Sequence, residues 1–127
     1  MRVAKIELLG KEYPLCFSTR AVKACAEKFG VLENIGNALG GGNEAEMLDN
    51  VFWLLSVLID AGVRYERLMS GAEIDPLTAD ELMDICDLSD LEKLKDKIFE
   101  AMNAGTERAV EVETEKSPKG KTKTKPK

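Results

Sequence analysis

Apolar positions crowd most densely at Val51-Phe52-Trp53-Leu54-Leu55-Ser56-Val57-Leu58-Ile59, where only Ser56 interrupts the run. So short a run suits a buried strand or a buried helix, and periodicity alone does not separate the two. The flanks favour the helix. Asn43 precedes Glu46 by three residues, an Asn-led capping box that satisfies free backbone N–H groups at a helix start. Met47, Val51, Leu54, Leu55, Leu58 and Ile59 then recur at helical spacing, and Gly62 can take the left-handed conformation that ends a helix. This predicts a central helix over 44–61, apolar on most of its circumference and covered on several sides. Glu46, Asp49, Asn50 and Asp60 bracket an apolar run far shorter than the ~20 residues a bilayer requires.

Upstream, residues 3–9 alternate weakly, Gly10-Lys11 signals a turn, and Tyr13, Leu15 and Phe17 stand two apart. The pattern predicts a β-hairpin lying on the helices, with Pro14 turned so that its missing N–H faces an edge. Ser18 or Thr19 caps a helix over 19–29 with an apolar stripe of Val22, Cys25, Ala26 and Phe29, ended by Gly30. Val31, Leu32, Ile35 and Leu39 predict a short helix weakened by Gly36, and Gly40-Gly41-Gly42 forms a hinge before the Asn43 cap. A triple glycine can approach a phosphate, but this one lacks the Lys and Ser/Thr of a P-loop and follows no strand.

Downstream of Gly62, residues 63–69 predict a short helix or turn, with Tyr65 and Leu68 on the core and Arg64 and Arg67 on a solvated face. Leu77-Thr78-Ala79-Asp80-Glu81 combines a hydrophobic staple with a capping box, and Ser89-Asp90-Leu91-Glu92 is a second box. Helices are predicted over 79–87 and 90–104, the last carrying Leu91, Leu94, Ile98 and Met102 and stopped by Gly105. Residues 106–127 lose apolar periodicity and end in a lysine-rich tail unable to offset its own ordering entropy, so disorder is expected there. The expected fold is mostly α (α+β): one domain over 1–105, a helical body with an N-terminal hairpin, and a disordered basic tail over 106–127.

Charge and chemistry narrow the function. The net charge of −5 divides unevenly: six lysines stand against Glu113 and Glu115 from residue 113 onward, which leaves residues 1–112 at −9. There is no histidine, which removes the commonest general base and zinc ligand. Cys16, Cys25 and Cys86 have no paired spacing and suit reduced thiols in a cytoplasm, and the start of the chain carries no signal-peptide pattern. Between Glu73 and Glu92 every charged residue is acidic. The spacing fits no EF-hand loop, and Asp80 and Asp84, four apart, share a helix face as most exposed acids do. These acids form a solvated face or a surface for a basic partner. The candidate partner-binding residues are accordingly Asp80, Asp84 and Asp87 in the body and Lys119, Lys121 and Lys123 in the tail. No catalytic, cofactor or metal residue stands out.

Several landmarks in order resemble the tail assembly chaperones of long-tailed, non-contractile bacteriophages and their prophages. They are Tyr13-Pro14-Leu15-Cys16-Phe17-Ser18 entering a helix closed by Glu27-Lys28-Phe29-Gly30, an apolar helix running into Ala61-Gly62 with Tyr65 soon after, and Leu77-Thr78-Ala79-Asp80-Glu81-Leu82 before a final helix and a polar tail. The similarity spans roughly residues 3–105. It implies a small, helical, non-enzymatic protein of the host cytoplasm. Such a protein holds the tape-measure protein soluble and assists assembly of the tail-tube protein, with self-association left open, no cofactor and no membrane. Family members are often made in two lengths by ribosomal frameshifting. A nucleic-acid-associated regulator or adaptor using the basic tail is the alternative, opposed by the acidity of the body and by the absence of aromatics in the tail.

Overall fold

The computed structural model describes residues 3–31 and 33–114, with side chains through Ala104. In chain order the elements are β1 (Ala4–Leu8), β2 (Lys11–Leu15), α1 (Thr19–Phe29), α2 (Glu33–Gly40), α3 (Glu44–Ser70), α4 (Ala79–Ile85), a 3₁₀ turn (Leu88–Asp90) and α5 (Leu91–Thr114). The molecule is mostly helical, with an antiparallel hairpin at its N-terminus.

The hairpin turns on Leu9 and Gly10, both at positive φ (52° and 77°), one residue earlier than the Gly10-Lys11 signal suggested. Two such residues give the tight turn whose twist matches that of the strands. A two-residue turn also fixes the ladder. Leu8↔Lys11, Ile6↔Tyr13 and Ala4↔Leu15 exchange hydrogen bonds, whereas Lys5 and Glu7 on β1, and Glu12 and Pro14 on β2, turn their backbone groups outward. Pro14, which has no N–H to give, occupies one of these outward positions as expected.

The outer edge of β2 lies on α3. Just past the strand, the Cys16 N–H donates to the Leu58 carbonyl at 3.1 Å. One turn further along α3, a Cβ placed on Gly62 would stand 2.2 Å from the Pro14 carbonyl oxygen and 2.5 Å from its carbon. Gly62 therefore does not end the helix. It stays in helical conformation, and its bare Cα lets strand and helix backbones touch. The expected break at residue 61 is absent, and α3 runs 27 residues to Gly71, whose left-handed backbone (φ 77°) returns its N–H to the Arg67 carbonyl.

Around α3 the other elements complete one core. Val51, Leu54, Leu55, Leu58 and Ile59 are fully buried together with Ile6 and Leu15 of the hairpin, Ile35 and Leu39 of α2, Leu82 of α4, and Leu94 and Ile98 of α5. Trp53 is half-buried and meets Phe29 edge to face at 5.7 Å, with the Lys28 ammonium 5.0 Å above the indole. Helix α1 starts on the Ser18 cap and stops at Gly30 as expected, but it buries Ala21 and Cys25 and leaves Ala26 in solvent.

The α4–α5 corner departs from the expected pattern. Thr78 and Glu81 form the capping box of α4, but the second box is made by Asp87 and Asp90. The Asp87 carboxylate accepts from both the backbone N–H and the hydroxyl of Ser89, so Ser89 serves as donor where the sequence suggested a cap. At its far end α5 passes through Gly105 and remains helical to Thr114. A single interior glycine costs a helix only ~1 kcal/mol, too little to stop a chain of good helix formers. The remainder of the expected tail, residues 115–127, lies outside the described residues, and Lys119, Lys121 and Lys123 with it.

Candidate interaction surface

The acidic stretch follows the cap chemistry of its own helices. Asp80 sits in the first turn of α4, where a carboxylate meets unpaired N–H groups and the positive end of the helix dipole. Asp84 stands one turn later on the same exposed side, and Asp87 caps the 3₁₀ turn. The Asp87 carboxyl is held below the usual carboxylate range, chiefly by the hydrogen bond from the Ser89 side chain. Both Ser89 hydrogen bonds end on one oxygen of an exposed carboxylate, so Asp87 keeps its charge on the surface with Asp80 and Asp84.

Apolar side chains share this region. Met83 is exposed beside Asp84 in α4, and Leu88, 65% exposed, stands between Asp87 and Asp90. A second apolar projection ends α3. Leu68 is 79% exposed and Met69 68%, so Leu68 does not pack on the core as expected, although its neighbour Tyr65 does. The reason lies in the length of the helix: once α3 continues past Gly62, its last turn carries residues 67–70 into solvent beyond the elements that cover it. Arg64, expected on a solvated face, is half-exposed and ion-pairs with Asp60 at 2.9 Å.

Two clefts follow β1. One of about 550 Å³ opens between Val3 and Ala4 on the strand and Phe99, Glu100, Asn103 and Ala104 on α5. Another of about 160 Å³ lies between the hairpin tip at Leu8 and Leu9 and the α4–α5 corner at Ile85, Cys86 and Leu94. Both are mixed in polarity; the smaller one also has Glu7, Asp90 and Lys93 in its lining beside the Cys86 thiol.

The cysteines behave as core residues. Burial pushes the Cys16 and Cys25 thiols above the ordinary value, and Cys86, half-buried, is raised first by burial and then by the charges of Asp90 and Asp87. A raised thiol pKa means little thiolate near neutrality and low reactivity. Among the described residues no group of three or more Cys, Asp or Glu is arranged to hold a metal ion, and no helix is long and apolar enough to cross a membrane. No protein-family model, no curated protein and no solved structure matches this chain. The exposed apolar residues at the α4–α5 corner and at the end of α3 had no signal of their own in the sequence. Met83 falls within the helix predicted over 79–87 and Leu88 in the break after it, and neither position marks itself as exposed.

Proposed function

We propose that this protein is a non-enzymatic assembly chaperone that holds an unassembled helical chain. The resemblance of its landmarks to phage tail assembly chaperones gives that chain a candidate identity, the tape-measure protein, with the tail-tube protein as the second component of the assembly. The observation that carries the reading is the exposure of Met83 and Leu88 among Asp80, Asp84, Asp87 and Asp90. An apolar surface set among acids suits an amphipathic helix bearing lysines or arginines beside its apolar stripe. The apolar contact supplies the hold, and the acids keep the free protein soluble and speed the encounter. Leu68 and Met69 offer a second apolar contact at the end of α3. Helices that can shift to expose core surface would do so around Gly36 and Gly40–Gly42, since Gly62 is locked beneath Pro14.

Co-expression with the candidate long helical partner, followed by pull-down across a salt series, tests the proposal. The partner is expected to be insoluble alone, and the complex to survive high salt. Met83→Glu with Leu88→Glu should abolish the complex, whereas Asp80→Asn with Asp84→Asn should slow its formation and leave it intact. A partner equally soluble alone, or a complex lost at moderate salt, overturns the reading.

A further inference from the structure

The two edges of the hairpin are treated differently by the fold. The outer edge of β2 is closed by α3, through the Cys16–Leu58 hydrogen bond and the contact of Pro14 with Gly62. The outer edge of β1 receives no such hydrogen bond, and clefts separate the strand from α5 and the α4–α5 corner. The register turns the N–H and C=O groups of Lys5 and Glu7 away from β2. Among the described residues none of those four groups receives a hydrogen-bond partner from elsewhere in the chain. Both side chains are exposed, on the face opposite buried Ala4 and Ile6. An open edge of this kind is a template for a further strand.

The charges on this edge select the strand. We propose that β1 is a self-recognition edge, on which two copies of the chain pair β1 against β1, antiparallel and centred on Ile6. In that register Lys5 of each copy lies opposite Glu7 of the other. These are the two residues whose backbone groups point outward, so both opposed pairs are hydrogen-bonded pairs, and four ladder bonds form across the two-fold axis. Each pair also sets a lysine beside a glutamate on the solvent face. That arrangement answers a conflict inside the single copy, where Glu7 stands directly opposite Glu12, a like-charge pair that weakens a sheet. Shifting the pairing by two residues loses the Lys–Glu match, and shifting it by one sets Lys5 or Glu7 opposite Ile6, whose backbone groups already pair with Tyr13. The same register carries Leu9 of the second copy, 76% exposed in the single chain, to the Val3 end of β1, where exposed Phe99 lines the wider cleft. The inference does not depend on the chaperone reading: it concerns what one copy offers another, whatever else the protein holds.

Sedimentation equilibrium on the full-length protein tests it. The wild type should be a dimer. Lys5→Glu or Glu7→Lys alone replaces two attractive pairs by two repulsive ones and should weaken dimerisation by about tenfold or more. The double variant Lys5→Glu/Glu7→Lys restores both pairs and should dimerise as the wild type does. An equimolar mixture of the two single variants should form the heterodimer in preference to either homodimer, because an edge carrying two glutamates then faces an edge carrying two lysines. Lys5→Pro removes an outward N–H without touching the β1–β2 ladder and should give a monomer whose circular dichroism is unchanged. A wild type that stays monomeric at 100-fold the concentration of an ordinary assay overturns the proposal. So does a dimer indifferent to Lys5→Glu and Lys5→Pro, which would place the interface on another surface.

Discussion

Gly62→Ala sets two effects of known sign against each other. In an unobstructed helix the change from glycine to alanine stabilises by ~1 kcal/mol, because alanine loses less backbone entropy. At Gly62 the new Cβ would lie 2.2 Å from the Pro14 oxygen and 3.0 Å from the Leu15 nitrogen, whereas ordinary contact begins at 3.4 Å. The atoms it meets are backbone, so no side chain can swing aside. The strand must retreat from the helix by roughly 1 Å, beyond what a 3.1 Å hydrogen bond from Cys16 to Leu58 survives. Losing that bond costs about 1 kcal/mol, and overpacking costs a further ~1–3 kcal/mol. The strain exceeds the gain in propensity, and the net loss expected is about 1–3 kcal/mol. Gly36→Ala is the matched control: it lies inside α2 with nothing within 4 Å of the new Cβ, and should stabilise by up to ~1 kcal/mol. Urea melts followed by Trp53 fluorescence measure both. If Gly62→Ala is neutral or stabilising, β2 does not sit on α3 as described.

Further outcomes follow from single positions. Leu55→Ala removes a fully buried side chain from the centre of α3 and should cost about 2–5 kcal/mol in the same melts, whereas a surface residue would cost under ~1. Leu9→Asn should raise the melting temperature by a few degrees, measured at a protein concentration low enough to keep the chain monomeric, because leucine is strained at φ 52° and asparagine tolerates it. In native-state labelling with a thiol reagent Cys86 should react first, and Cys16 and Cys25 only as the protein unfolds. Asp87 has its carboxyl pKa lowered by folding, so its stabilising effect is present above the unfolded carboxylate value and is lost as pH falls through the folded one. The melting temperatures of wild type and Asp87→Ala should therefore differ near neutrality and converge in acid.

How much of the fold is legible in the sequence depends on whether a signal is local. The Ser18, Asn43 and Thr78 caps and the Gly30 stop lie within one helical turn of what they control, and all fall where the sequence indicates. Gly62 and Gly105 mislead for a shared reason. A glycine near the end of an apolar stripe looks like a stop, and only a partner 48 residues away, Pro14, reveals that Gly62 is a contact. The Ser89 cap is displaced because Asp87, two residues earlier, starts a turn of its own and takes both the N–H and the hydroxyl of Ser89 as donors. For the interaction surface, the acids are legible from composition, but the exposure of Met83, Leu88, Leu68 and Met69 depends on where α3 and α4 end. The open edge of β1 stays hidden until the turn settles on Leu9-Gly10 and fixes which backbone groups point outward.

The docking of β2 on α3 also orders events during synthesis. The hairpin leaves the ribosome before α3, yet its second strand is held by Leu58 and Gly62, more than 40 residues later. At 5–20 residues per second those residues follow after roughly 2–10 s, far longer than the microseconds in which a hairpin opens and closes. A lone hairpin is marginal in water, so until α3 emerges both of its edges are exposed to neighbouring nascent chains. Arrival of α3 then closes one edge and leaves the other. On a message carrying several ribosomes, the same five residues of β1 are presented repeatedly and close together, before any of the chains has completed its core.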